Sequence, residues 1–392
     1  MKKDQFQIPE GVIYMDGNSL GPLPKSVPTR LSQTVHDEWG AMLIKGWNDA
    51  GWMDMPTRLG DRIGAMLGCA NGSVVLGDTL SIKVYQALAA ALNLNPDRRV
   101  VLSDNGNFPS DLYMAQGLLN TLNRGHELRV VDPDKVLEHI TSDVAVLMLT
   151  HIDYRSGRMH DMMALTKAAQ DSGVVVIWDL AHSAGAVPVD MGASGAEFAV
   201  GCTYKYLNGG PGAPAFIYVR PDLIDRIDPS LSGWLGHDAP FAFELGYRPA
   251  GGIDRMRVGT PPILQMAALD AALDVWEGVS MDELRNNSIA LSERFISGVE
   301  QHCPTLTLAS PRDPQLRGSQ VSFQCENGYA VMQALIHHGV IGDFRAPDLI
   351  RFGFTPLYLD SGDIDQAVDI LARIMRDDLW QDAKFQTRSA VT

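Results

Sequence analysis

The stretch Phe198 to Val219, "FAVGCTYKYLNGGPGAPAFIYV", sets a lone lysine, Lys205, between two tyrosines where an apolar run gives way to a glycine-rich turn. A second apolar run follows at once. Short, uniformly apolar runs read as strands buried on both faces. The first is expected to carry Lys205 at its end. Asn208-Gly209-Gly210-Pro211-Gly212 is loop chemistry that lets backbone approach a ligand. Lysine is nearly always solvated, so a buried strand that delivers one to such a loop needs a chemical reason.

Working outward, the same pattern recurs. "VVLGD" (Val74 to Asp78), "RVVLSD" (Arg99 to Asp104), "ELRVVD" (Glu127 to Asp132), "VAVLMLT" (Val144 to Thr150) and "VVVIWD" (Val174 to Asp179) are apolar runs ending in polar residues. With the two runs around Lys205 they make seven strands. Helical spacing fills several intervals, as in "SIKVYQALAAAL" (Ser81 to Leu92), "PSDLYMAQGLLNTL" (Pro109 to Leu122) and "MMALTKAAQDSG" (Met162 to Gly173). This alternation predicts an α/β domain, its mostly parallel sheet covered by helices on both faces.

Beyond Gly259 the pattern changes to long amphipathic helices from Pro261 and Met281, then short strands and a final helix near Asp363 to Asp378, a small α+β unit. The first sixty residues are turn-rich and read as a segment that wraps over something else. The expected divisions are therefore 1–60, 61–260 and 261–392, with a frayed tail from Lys384.

Bulk properties narrow the function. Among 392 residues, Lys and Arg number 32 against 47 Asp and Glu, a formal net charge of -15. That field disfavours nucleic acid and anionic membranes as partners. No apolar stretch is long enough to span a bilayer, and "MKKDQFQIPEG" lacks the apolar core of a signal peptide. Cys69, Cys202, Cys303 and Cys325 are scattered, which argues against a disulfide framework or zinc ribbon and fits a cytoplasmic setting. No metal is expected: neither His36-Asp37-Glu38 nor His160-Asp161 offers a helical i, i+4 ligand pair.

Ligands of open parallel sheets collect beyond the carboxyl ends of the strands. The residues found there are Thr79-Leu80-Ser81, "NFPSD" (Asn107 to Asp111), Thr150-His151, Asp179 with His182, and Tyr204-Lys205. Singly, Thr79, Ser81 and Ser110 read as helix caps, and Asp179 as a turn residue. Jointly they describe a pocket for pyridoxal 5′-phosphate. A helix N-terminus seats a phosphate, a carboxylate keeps a ring nitrogen protonated, an aromatic covers a ring, and an amine forms an imine.

At these residues the chain resembles the class V aminotransferase group of fold type I pyridoxal-phosphate enzymes, and more narrowly the kynureninases. The resemblance rests on "GNSLGP" (Gly17 to Pro22), "NFPSD", "WDLAHSAG" (Trp178 to Gly185), "TYKYLNGGPG" (Thr203 to Gly212), "GWLGH" (Gly233 to His237), "RVGTPPIL" (Arg257 to Leu264) and "IRFGFTPLY" (Ile350 to Tyr358). It implies a fold type I transferase architecture, a homodimer, and hydrolysis of L-kynurenine or its 3-hydroxy form in tryptophan catabolism or NAD biosynthesis. By the same resemblance Lys205 tethers the cofactor and moves the substrate α-proton, and Asp179 pairs with the ring nitrogen. Leu80 (through its N–H), Ser81 and Tyr204 hold the phosphate, and Phe108 covers the ring. Ser110, Asp111, Thr150 and His182 complete the cofactor pocket, and Trp234 and Thr260 are delivered by the neighbouring subunit. Arg351 grips the α-carboxylate in a bidentate fashion, and Asn18, Ser19 and Trp47 complete the substrate side. Tyr204 is the candidate base for hydrating the γ-carbonyl.

Two relatives of this chemistry remain open on the residues alone. A cysteine desulfurase or selenocysteine lyase needs a reactive thiol, for which Cys325 is the candidate. An aminotransferase would use the same pocket with water excluded. A non-catalytic cofactor-binding regulator lacks the basic charge of a DNA-binding module here.

Overall fold

A computed structural model describes residues 2–387. Its centre is a seven-stranded sheet of β1 (Val74–Leu76), β2 (Val100–Asp104), β3 (Glu127–Val131), β4 (Val144–Thr150), β5 (Val175–Asp179), β6 (Phe198–Gly201) and β7 (Phe216–Val219). The spatial order is β1-β7-β6-β5-β4-β2-β3. Four pairings are parallel, while β7 runs antiparallel to both β1 and β6.

The continuous apolar runs have a geometric cause. Successive side chains point to opposite faces, so Leu147 and Leu149 enter one core while Val146 and Met148 enter the other. Helices α1 (Met55–Met66), α4 (Met162–Asp171) and α5 (Met281–His302) supply the first core; α2 (Leu80–Leu94) and α3 (Pro109–Leu122) supply the second. Each fully buried Leu or Val there contributes about 1.5–3 kcal/mol. Edge strand β3 is the exception. Its partly exposed face carries Arg129, paired 2.9 Å from Asp143, a charge of the kind that discourages edge-to-edge pairing.

The C-terminal elements form a second sheet, β8 (Thr307–Leu308), β9 (Gln320–Gln324), β10 (Asp343–Arg345) and β11 (Leu349–Gly353), in the order β8-β9-β11-β10. A helix at Ser361–Arg376 follows, opened by an Asp360 capping box. The N-terminal segment does more than wrap. Ile13–Tyr14 pairs in parallel with Val340–Ile341, and Met15 and Asn18 are fully buried. Helix α1 runs across residue 60. The tail is partly ordered, with Phe385 buried against the His337 ring, and 388–392 lie outside the described residues.

The strand expected to end at Lys205 ends at Gly201 instead. The Thr203 hydroxyl donates to the Pro214 carbonyl (2.6 Å) and the Tyr204 carbonyl accepts from Gly21 N–H (2.8 Å), which draws the chain out of the ladder. Gly21 has no substitute here, because a Cβ would lie 2.3 Å from the Lys205 carbonyl oxygen. "GNSLGP" thereby pins the backbone of the lysine loop.

Candidate active site

The carboxyl ends of β4, β5 and β6 bring Thr150, Asp179, His182, Tyr204 and Lys205 to one rim. The half-buried Lys205 amine lies 2.9 Å from His182 Nε2. It also stands 6.0 Å from the centre of the Phe108 ring and 5.8 Å from that of Tyr204, within range of both π-faces. Phe108, 43% exposed, packs edge-on against Tyr154 and keeps one face free of that contact.

Two helix N-termini converge beside this cluster. Thr79 precedes α2 in an extended conformation without capping it through its side chain, and Phe108 does the same for α3. The first amides of α2 therefore keep their donors, whereas α3 opens on Pro109, which has no N–H, and its Asp111 N–H donates to the Phe108 carbonyl (2.9 Å). The Ser81 and Ser110 hydroxyls, one from each helix, lie 3.0 Å apart. Paired N-termini with hydroxyls between them suit a phosphate dianion. Thr79 and Ser110 as plain caps are thus excluded.

Burial sets the protonation of the carboxyl groups. Desolvation pushes Asp179 up to about 6, while the Lys205 charge, the Ala181 N–H and the Thr150 hydroxyl pull it down. Asp179 is ionised at neutral pH. Asp111 is driven well above the carboxylate range by burial and then by the Asp179 charge, and its Oδ2 is buried without a hydrogen-bond partner. The two carboxyls thus face the same space, and burial disfavours the ionised form of both, most strongly that of Asp111. Burial also raises the Tyr204 phenol, and the negative charges of Asp179 and Asp111 add to the rise. Burial thus favours the protonated form of the Tyr204 phenol.

On the opposite side, Arg351 is fully buried on β11. Its Nε donates to Asp343 Oδ1 at 2.8 Å, and Nη2 donates to Asp343 Oδ2 and to Ser19 Oγ (3.0 Å). Nη1 donates to the Tyr154 carbonyl. Four of its five N–H groups are committed to these partners, which leaves one Nη1 N–H. Asn18, adjacent to Ser19 and packed on Gly353, keeps an unpartnered buried amide. Asp16 completes this cluster, raised to about 7 by burial and by the Asp343 charge. Asp343, Asp16 and Tyr154 carry no sequence signal of their own; the loop and strand that hold them are distant in the chain.

Three expected residues stand apart. Trp234 (42% exposed) meets Phe241, Thr260 is exposed, and Trp47 packs edge-on against Trp52. Among the described residues no hydrogen bond or ring contact joins them to Lys205. Asn208, Gly209, Gly210 and Pro211 of the glycine-rich loop line an apolar groove with Leu20, Leu23 and Leu264.

Most of the chain superposes on known enzymes. The apo cysteine desulfurase of Thermococcus onnurineus NA1 matches with a TM-score of 0.81 over 96% of this chain and 97% of that one, at 17% identity. The cystine C–S lyase C-DES, bound to its product cysteine persulfide, matches with 0.78 over 93% and 98%, at 18% identity. Residues 87–199 match the DegT/DnrJ/EryC1/StrS aminotransferase family. A lysine amine facing a paired-helix anion seat on this scaffold places the chain among the fold type I pyridoxal-phosphate enzymes.

Sequence narrows the class further. Residues 284–371 match the kynureninase C-terminal domain. The kynureninases of Pseudomonas fluorescens (49% identical) and Burkholderia pseudomallei strain 1106a (47%) align over all of this chain and 95% of theirs. The chain belongs to the kynureninase family.

Proposed function

We propose that this enzyme hydrolyses the Cβ–Cγ bond of L-kynurenine, releasing anthranilate and L-alanine, with 3-hydroxykynurenine as a further substrate. The observation that carries the reading is Lys205, whose amine faces His182, Phe108 and an anion seat within a chain of kynureninase sequence. The residues fit pyridoxal phosphate: Ser81, Ser110 and the Leu80 N–H at the phosphate, Asp179 at the ring nitrogen, Phe108 over the ring, and Thr150 and His182 at its edges. Bound there, the cofactor supplies an electron sink for carbanion character at the substrate's α- and β-carbons.

The protein's own groups do the rest. Lys205 tethers the cofactor and removes and returns the α-proton. Asp179, ionised above its raised pKa, holds the ring nitrogen protonated. Asp111 and Tyr204, both kept protonated by burial, offer donors to developing negative charge. Arg351 and the Asn18 amide hold the α-carboxylate jointly, with Ser19 and Asp343 fixing the guanidinium. Replacing Arg351 with Lys loses the fork that Asp343 holds, and KM for kynurenine rises on the order of 10- to 100-fold with a smaller change in kcat. A steady-state comparison of the two proteins checks this.

The same reading includes a cytoplasmic homodimer with Trp47, Trp234 and Thr260 at the shared site. Its support is the exposed apolar loop of Phe241, Phe243 and Leu245 beside Trp234. Among the described residues, no helix is long and apolar enough to cross a membrane, and the four cysteines are free.

A desulfurase is disfavoured at the thiol it would need. Cys325 is buried at the end of β9, and desolvation pushes its thiol up to about 11, away from the reactive thiolate. Cys325→Ala is expected to leave kynurenine hydrolysis within about twofold of the parent. The deciding assay incubates protein and cofactor with kynurenine and follows anthranilate fluorescence. Alanine released from cysteine, with no anthranilate from kynurenine, overturns the proposal.

A further inference from the structure

Gln320 opens β9 and is fully buried. Its amide nitrogen donates to the carbonyls of Asp153 (3.2 Å) and Tyr154 (3.0 Å), and its Oε1 lies 2.8 Å from His182 Nδ1. Two carbonyl acceptors decide which end of the amide is nitrogen. The end facing His182 is therefore an oxygen that can only accept, so His182 carries its hydrogen on Nδ1. In a neutral imidazole this leaves the lone pair on Nε2, 2.9 Å from Lys205 Nζ. Burial keeps the ring neutral, and the charges of Lys205, Arg351 and Arg345, which face it, act in the same direction. Tyr206 packs edge-on at 6.5 Å, and Gly157 closes over Gln320 so tightly that a Cβ would lie 2.9 Å from its Cγ.

We propose that Gln320 is a positioning residue: by fixing the Nδ1–H tautomer of His182 it keeps the Nε2 lone pair turned toward Lys205, ready to accept a hydrogen bond from the lysine amine whenever that amine is free. The inference rests on Lys205 being the reactive amine. It adds a link between the two halves of the site, because β9 pairs with β11, the strand that carries Arg351. Movement of the C-terminal sheet then changes both the carboxylate grip and the acceptor offered to the lysine.

The test compares Gln320→Met, which removes the acceptor, with Gln320→Glu, which keeps it but loses both carbonyl contacts. Histidine labelled with ¹⁵N in the cofactor-loaded enzyme reports the tautomer directly, the His182 signal being the one lost in His182→Asn. The parent is expected to show protonated Nδ1 and bare Nε2, and Gln320→Met a mixture or the reverse tautomer. In kinetics, Gln320→Met loses about tenfold in kcat with KM nearly unchanged. Gln320→Glu recovers most of that at high pH and fails again as pH falls, because its carboxylate raises the His182 pKa and Nε2 becomes protonated. A parent spectrum with Nε2 protonated overturns the proposal even if Gln320→Met does not fold. So does an equal, pH-independent loss in both variants, which would assign Gln320 to its carbonyl contacts alone. The tautomer readout needs no substrate, so failure of kynurenine hydrolysis would leave it standing.

Discussion

Lys205→Ala lowers kcat for kynurenine hydrolysis by about 10⁴-fold or more. Two functions disappear together. The cofactor loses its covalent tether, and the α-carbon loses the group that removes and returns its proton. No neighbour stands in. His182 lies 2.9 Å from the lysine amine but burial holds it neutral, and Tyr204 and Asp111 are held as donors. The loss is therefore expected at every pH from 6 to 9. Thermal stability should change little, because the lysine is half-buried at the rim and belongs to neither apolar core. Anthranilate fluorescence with a melting curve on the same preparation measures both. Residual turnover within about tenfold of the parent would remove Lys205 from the chemistry.

Asp179→Asn separates activity from stability. Without that carboxylate the ring nitrogen is no longer held protonated, and kcat falls by roughly 10²- to 10⁴-fold. Stability moves the other way in protein freed of cofactor. The folded-state pKa of Asp179 is raised to about 6 from an ordinary value near 4, chiefly by burial. A carboxyl with a raised folded pKa binds its proton more tightly in the folded chain. Its stabilising contribution is complete below pH 4 and is lost as pH rises through 6. At pH 8 the parent carries the cost of a buried charge that asparagine avoids, so the variant melts higher. At pH 5 the parent carboxyl is mostly protonated and the two melting points converge. Asp111 accentuates the effect, since its carboxyl shares the space and would no longer face a fixed negative charge. A variant that melts lower than the parent at pH 8 would contradict this account.

The sequence was most informative where local patterning dictates structure. Uniformly apolar runs required strands buried on both faces, and the two separate cores explain why both parities are apolar. Once the strands were known, their carboxyl ends named Thr150, Asp179 and His182, because side chains there have nowhere else to point. The paired N-termini at Ser81 and Ser110 followed from strand-to-helix turns of the same kind. What stayed hidden depends on long-range pairing. Nothing in "GSQVSFQC" marks Gln320 as the partner of His182, 138 residues away, and nothing in "GDFRAP" marks Asp343 as the clamp on Arg351. The apolar flanks of Lys205 predict a strand; the loop is made by Gly21, contributed from near the start of the chain. The role of Arg351 comes from the family resemblance of "IRFGFTPLY", and only the folded chain shows which groups its guanidinium already meets.

Covalent attachment of the cofactor tests the central claim most directly. The protein contains a rival amine in Lys83, fully buried one turn into α2 and lowered to about 8 by burial. Its amine, however, is committed to Gln86 at 2.9 Å and to the Met256 carbonyl at 3.1 Å, whereas that of Lys205 faces the rim. Borohydride reduction of the cofactor-loaded enzyme followed by peptide mapping should place the pyridoxyl mass on the peptide containing Lys205 alone. Label on the Lys83 peptide, or on none, would contradict the account.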